Sequence, residues 1–158
     1  MNIEPYGITN FCDDIRHEIN GKLTLVGCYA GSLNFNGPPP GTLPTFAALI
    51  NLRVPLHIQF EKISLRVIKT EGDEETTILE DEIENSKEHN EPSPVPVPSS
   101  GEEERVLLMA FPCKWTPIHF SKSGQIKVRA YLDGDLEVRL GALSVNFVEQ
   151  PVEDRDAR

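Results

Sequence analysis

The stretch "QIKVRAYLDGDLEVRL", residues 125–140, admits few folds. Ile126, Val128, Ala130 and Leu132 share one parity, while Lys127, Arg129 and Tyr131 hold the other. Strict alternation of this kind belongs to a strand with one face buried. After the turn residues, Leu136, Val138 and Leu140 resume the apolar parity. A three-residue loop at Asp133-Gly134-Asp135 pairs Leu132 with Leu136 and Ala130 with Val138, which keeps both apolar sets on one face. A two-residue loop would set Ala130 against Glu137, the wrong face. Beyond Leu140 the apolar parity moves to Leu143, Val145 and Phe147, so a one-residue slip at Gly141-Ala142 reads as a bulge.

The same period recurs along the chain. "TFAALINLRV" places Phe46, Ala48, Ile50, Leu52 and Val54 on one parity, and "KISLRVIKT" does so with Ile63, Leu65 and Val67. "ETTILEDEI" is a weaker strand suited to a sheet edge. "RVLLMAFPCKW" is apolar on both parities, which reads as a strand covered on both faces or ending in a buried Trp115. No segment of eleven or more residues has helical spacing. About eight short strands separated by Gly- and Pro-bearing turns predict an all-β fold, a two-sheet antiparallel sandwich of immunoglobulin-like type. It occupies residues 1–150 as one domain, and at this chain length roughly 70% of the unfolded surface can be buried. "NGPPPGTLP" (36–44) is expected to be a rigid loop, because prolines cannot serve a ladder. Residues 85–104, acidic and rich in proline, are expected to form a mobile excursion, and 151–158 a frayed tail.

Charge is unevenly spread. Of the formal net charge of -10, residues 71–104 supply -12, from thirteen Asp and Glu and one Lys, so the remainder sums to +2. That balance argues against general affinity for nucleic acid, whose phosphates need Lys and Arg. No apolar run approaches the length of a membrane span. The opening "MNIEPYGITN" lacks the basic start and apolar stretch of an export signal. Cys12, Cys28 and Cys113 are therefore expected as free thiols in a cytoplasmic setting.

The densest group of chemically capable residues is "NFCDDIRHEINGKLTLVGCY", residues 10–29. A two-residue turn at Asn20-Gly21 makes it a hairpin whose opposed residues sum to 41. Ile15 then faces Val26. Phe11, Asp13, Ile15 and His17 share one face; Cys12, Asp14, Arg16, Leu23 and Leu25 share the other. In that register Cys12 and Cys28 do not bridge, and Asp13 and Asp14 cannot act on one substrate. Asp13 and His17, two pleats apart on one face, could supply two metal ligands where a stable site needs three or four. The plain alternative is that both aspartates bond backbone amides or Lys and Arg neighbours at a strand irregularity, Arg16 with Asp14 among them. Cys113 beside Lys114 could serve as a nucleophile with its thiolate favoured by the lysine, or simply as core packing. Hydrolase-elbow, phosphate-loop and metalloprotease signatures are absent, and no cofactor is expected.

Lys127, Arg129 and Arg139 form a basic stripe on the outward face of the last hairpin, interleaved with Tyr131 and Glu137. Arg129 and Arg139 directly oppose one another, which needs a nearby negative charge. That charge can come from Glu137, from the acidic segment 71–84, or from a partner.

"SKSGQIKVRAYLDGDLEVRLGALSV" resembles the closing hairpin of immunoglobulin-like bacterial β-sandwich modules. "FCDDIRHEINGKLTLVGCYAG", with "LPTFAALINLRVP" and the closing hairpin, resembles a family of small bacterial proteins, a domain of unknown function. The resemblance implies a bacterial or phage cytoplasmic setting and carries no activity or site residue. The expected function is a non-enzymatic protein-interaction module. It would bind a protein partner, or a second copy of itself, through an edge strand or through Lys127, Arg129, Tyr131 and Arg139. The alternatives are a metal-dependent or thiol enzyme using Asp13, His17 or Cys113, and a small-ligand-binding sandwich, which has one Trp and three Tyr to offer as stacking platforms.

Overall fold

The computed structural model describes residues 3–85, 95–96 and 105–149. Most of the expected excursion at 85–104 and the tail at 151–158 lie outside the described residues. Alternating patterns become strands throughout: β1 (Tyr6–Cys12), β2 (Asp14–His17), β3 (Leu23–Val26), β4 (Ser32–Asn36), β5 (Gly41–Leu43), β6 (Phe46–Pro55), β7 (Lys62–Glu71), β8 (Glu74–Glu84), β9 (Val95–Pro96), β10 (Arg105–Trp115), β11 (Ile118–Phe120), β12 (Gly124–Leu132) and β13 (Leu136–Val148). Among the described residues there is no α-helix, only a 3-10 turn at Ile19–Gly21, and no helix long and apolar enough to cross a membrane.

One sheet runs β1-β6-β10-β9 and the other β4-β13-β12-β7-β8, with two-stranded ladders β2-β3 and β5-β11 beside them. The pairings are antiparallel except β4, which runs parallel to β13, so the larger sheet is mixed where a purely antiparallel one was expected. The inward rows of both large sheets meet in one core. β6 contributes Phe46, Ala48, Ile50, Leu52 and Val54, none more than 1% exposed; β7 contributes Ile63, Leu65 and Val67; β12 contributes Ile126, Val128, Ala130 and Leu132. Each large apolar side chain buried this way stabilises the fold by about 1.5–3 kcal/mol.

The last hairpin has the expected register, with Leu132 opposite Leu136 and Ala130 opposite Val138. Its bulge falls one residue earlier than the parity switch suggested. Arg129 pairs with Arg139 and Val128 with Gly141, which leaves Leu140 unopposed.

The first hairpin corrects its expected register. Asp14 faces Val26, Ile15 faces Leu25 and His17 faces Leu23, so opposed residues sum to 40. Asn20 and Gly21 do take the left-handed conformation, at φ 66° and 71°, but Ile19 joins their turn, which the Glu18 N–H closes onto Lys22 O at 2.8 Å. The physical reason is burial. This register gathers Ile15, Leu23 and Leu25 on one face, where with Cys12, Ala47 and Leu49 they form a second small core on the outside of the first sheet. The expected register would have split Ile15 from both leucines.

Two further corrections concern strands. Residues 41–43, expected within a rigid loop, pair as β5 with β11. β10 is not covered on both faces: Met109, Phe111, Cys113 and Trp115 are half-buried against the core, while Leu108, Ala110, Pro112 and Lys114 are exposed.

The two large sheets close tightly along one side only, where β1 meets β13. Gly7 permits that approach, since a Cβ there would lie 2.1 Å from Asn51 O and 2.6 Å from Leu140 Cδ2. Gly7→Ala is expected to cost about 1–3 kcal/mol through overpacking, a fall of roughly 3–10 °C in melting temperature. A thermal melt followed by circular dichroism checks this.

Candidate functional site

The residues that looked most like chemistry are bound to one another. A break in alternation at Asp13 separates β1 from β2, and the Asp13 N–H reaches both Val26 O (2.9 Å) and Gly27 O (3.2 Å). The Asp13 carboxylate accepts a hydrogen bond from the Tyr29 hydroxyl, and Gly27, at φ 66°, leaves it room, since a Cβ there would sit 2.1 Å from Oδ2. Burial, with the bond to Asp13, pushes the Tyr29 phenol well above its ordinary range. Asp14 points elsewhere. It accepts from Lys114 Nζ at 2.5 Å and lies 3.8 Å from Arg16 Nε. The Lys114 hydrogen bond holds its carboxyl below the usual range.

His17 is exposed on β2 beside Leu23. The irregularity at Asp13 breaks the common face that Asp13 and His17 were expected to share. No group of three or more potential metal ligands occurs among the described residues. The three cysteines are free. Burial raises the thiol pKa of Cys113, and the Asp81 carboxylate adds to the effect. Lys114, expected to favour its thiolate, points to the other face of β10 and is held by Asp14. This constellation locks the start of the fold.

The basic stripe lies on the outer face of the five-stranded sheet. Arg139, Arg129 and Arg66 are directly opposed across β13, β12 and β7, with Glu80 of β8 completing the row. Carboxylates answer the like charges. Glu137 lies 3.3 Å from Arg139 Nε and 3.7 Å from Arg129 Nε. Glu80 takes Arg66 Nε at 2.9 Å, and Glu82 takes Lys62 Nζ at 3.3 Å. The Arg66 guanidinium also sits 5.0 Å from the Tyr131 ring centroid. Among the candidates of the stripe, Lys127 alone has no ion pair among the described residues. The stripe is thus largely matched within the chain, by Glu137 and by the acidic strand that the sequence offered as its neighbour.

Glu71 was not singled out from sequence. It ends the inward parity of β7, together with Lys69, where apolar residues give way to charge at the end of the core. It is 7% exposed, and Lys69 Nζ lies 2.8 Å from Oε2. Oε1 accepts from the Ser121 N–H (2.6 Å), the Ser121 hydroxyl (3.0 Å) and the Lys122 N–H (3.3 Å). Burial alone would raise its pKa, but these donors outweigh it and bring the pKa from 4.5 down to about 2. Glu71 therefore pins the β11–β12 turn to β7.

The remaining feature is a strand edge left open among the described residues. Pro112 faces Leu49 of β6 and has no N–H, so the hydrogen-bonded pairs of this ladder are those of Leu107, Met109, Phe111, Cys113 and Trp115. Leu108, Ala110 and Pro112 turn their backbone groups away from β6. Among the described residues, only Val95–Pro96 pairs with that outer edge, and only at Arg105 and Val106. The other edges are handled differently. β1 is closed against β13, β4 is five residues long, and β8 carries Glu74, Glu75, Glu80, Asp81, Glu82 and Glu84, a charge density that discourages pairing. Between β10 and β8 no ladder forms among the described residues; Ile78, Leu79, Met109, Phe111 and Trp115 pack half-buried against the core, and Ile78 and Trp115 line one shallow pocket there. Pro112 inside an otherwise apolar strand was the available sequence signal for an edge.

A cleft of about 650 Å³ opens at one end of the sheets, lined by Leu56, Ile58, Phe60, Leu107 and Asp133 among others. The Asp133 carboxylate there is already used, accepting from the Glu61 and Lys62 N–H groups at 2.9 Å each. Compared with protein-family models and with curated proteins, the chain matches none.

Glu71→Gln is expected to destabilise the fold by about 2–3 kcal/mol at pH 7. A depressed carboxyl pKa supplies stability above its unfolded value of 4.5, and that stability is lost as pH falls through about 2. The wild-type and Gln proteins should therefore converge between pH 4.5 and 2. Urea unfolding across that range measures it, and parallel curves at all pH values would contradict the role given to Glu71.

Proposed function

We propose that this chain is a non-enzymatic protein-interaction module. In this reading it is a two-sheet sandwich of immunoglobulin-like character that accepts an extended segment of a partner protein as an added strand along β10. The observation that carries the reading is the outer edge of β10 beyond Val106, which has no strand partner among the described residues and whose inward side chains Met109, Phe111, Cys113 and Trp115 are only half covered. Strand addition uses such an edge: main-chain hydrogen bonds supply affinity, and alternate side-chain positions supply selectivity. The basic stripe is a weaker candidate because Glu137 and Glu80 already answer its arginines. A bacterial or phage setting rests on the sequence resemblance alone.

Two variants test the choice. Ala110→Pro removes an outward N–H at the parity where Pro112 already sits, so the β6 ladder survives and the melt should shift by about 1 kcal/mol or less. Reversing Arg129 and Arg139 to Glu gathers like charges around Glu137 and should lower stability by about 1 kcal/mol, partly recovered by salt. With tagged protein in extracts of the source cell, Ala110→Pro should lose the retained partner and the arginine reversal should keep it. The opposite pattern would transfer the binding role to the stripe.

A further inference from the structure

The register of the first hairpin has a second effect: it sets two cysteines opposite one another. Asp14 faces Val26, and the same register holds past the irregularity, where the Tyr29 N–H donates to Phe11 O at 2.9 Å. Counting back from Phe11–Tyr29, the next opposed pair is Cys12 and Cys28. Hydrogen bonds flank it on both sides. The Phe11 carbonyl takes the Tyr29 N–H, and the Asp13 N–H reaches Gly27 O at 3.2 Å. Bonds so placed mark the narrow, non-hydrogen-bonded site of an antiparallel pair, where Cα atoms approach to about 4.5 Å. A disulfide spans Cα atoms about 4.4–6.8 Å apart.

Side-chain directions agree. Phe11 and Tyr29 both turn to the core, with ring centroids 6.0 and 6.2 Å from that of Phe46. The bends at Asp13 and Gly27 lie outside this pair. Cys12 and Cys28, each adjacent to one of these aromatics, therefore share the opposite face. Cys12 is fully buried there, in the small core with Ile15 and Ala47, and Cys28 is exposed. Burial pushes the Cys12 thiol above its ordinary value, and Cys28 and Asp13 add to the effect. An accessible thiol thus stands opposite a shielded one, and both are free.

We propose that Cys12 and Cys28 form a thiol modification site, which a small-molecule disulfide closes into a bridge that locks the β2–β3 hairpin to the end of β1. The Cys28 thiolate attacks one sulfur of the oxidant; the oxidant's S–S bond breaks and one thiol leaves, with a mixed disulfide on Cys28. Cys12, giving up its proton, then attacks the Cys28 sulfur and displaces the second thiol. Two protein thiols lose two electrons and two protons, and one small disulfide becomes two thiols. The closed bridge encloses residues 13–27, the whole hairpin. This site is independent of the reading of β10.

The full chain is incubated with glutathione disulfide, alkylated, and digested with trypsin without reduction. Cleavage after Arg16 and Lys22 puts the two cysteines in separate peptides. The wild-type protein is expected to yield these peptides joined, with no glutathione retained on Cys28. Its melting temperature should rise by about 5–10 °C, since the bridge restricts the unfolded chain, and dithiothreitol should reverse the rise. Cys12→Ala should stop at the mixed disulfide and keep one glutathione on Cys28. Cys28→Ser should leave Cys12 reduced. Glutathione retained on Cys28 of the wild-type protein overturns the proposal, as does a link from either cysteine to Cys113 or to a second chain. A bridge that forms without raising the melting temperature overturns the locking role. The wild-type digest decides the pairing even where Cys12→Ala fails to fold.

Discussion

Everything in this molecule leans on the inward row of β6. Phe46, Ala48, Ile50, Leu52 and Val54 are sealed from water. Alternation leaves only one way to seal them: a second sheet must lie across that face. β12 and β7 supply it. β6 also fixes its own neighbours, because its two backbone edges are taken by β1 and β10. Once both edges are occupied, the chain can add strands to this sheet only beyond β1 or β10. The difference between those two outer edges decides the rest of the architecture.

The difference is steric on one side and chemical on the other. At β1, Gly7 removes the side chain that would meet Leu140, and Gly141, at φ 132°, follows the bulge of β13 close to Thr9. The sheets can therefore touch. At β10 the row of Met109, Phe111, Cys113 and Trp115 is bulky and only half-buried, and β8 carries Asp81 on its inward parity between Leu79 and Ile83. No ladder joins β10 to β8 among the described residues. Glycines on one flank thus let the sheets close, while bulky side chains and an acidic residue occupy the other.

Both hairpins were readable by one rule, and only one was read by it. For residues 125–140 the loop length was chosen so that apolar residues stayed on a common face, and the structure has that register. For residues 12–28 the register was taken from the Asn20-Gly21 turn signal, which gave the correct left-handed pair and the wrong loop length. Requiring Ile15, Leu23 and Leu25 to share a face would have demanded the observed register. Turn chemistry states where a chain reverses; burial states which residues then meet. The parallel pairing of β4 had no such signal, because five residues carry too little alternation to choose a neighbour. Glu71 and Lys69 were legible as charges on an inward parity, but their donors Ser121 and Lys122 lie some fifty residues away. Only the fold brings them together.

Charge placement shows the same division between what a strand can state and what a sheet decides. Sequence alone presents a basic stripe and an acidic stretch, each apparently in search of something. Three arginines in one row across β13, β12 and β7 would repel at this spacing, and they are tolerated because Glu137 and Glu80 sit at the near positions of the same face. Of the β8 charges, Glu80 takes part in that task and Glu82 pairs with Lys62, whereas Asp81, one residue out of phase with both, is turned by the pleat to the opposite face and cannot take part in it. A single strand therefore serves two faces through its period of two: Glu80 and Glu82 answer Arg66 and Lys62 on the outer one, and Asp81 lies on the parity that faces the core.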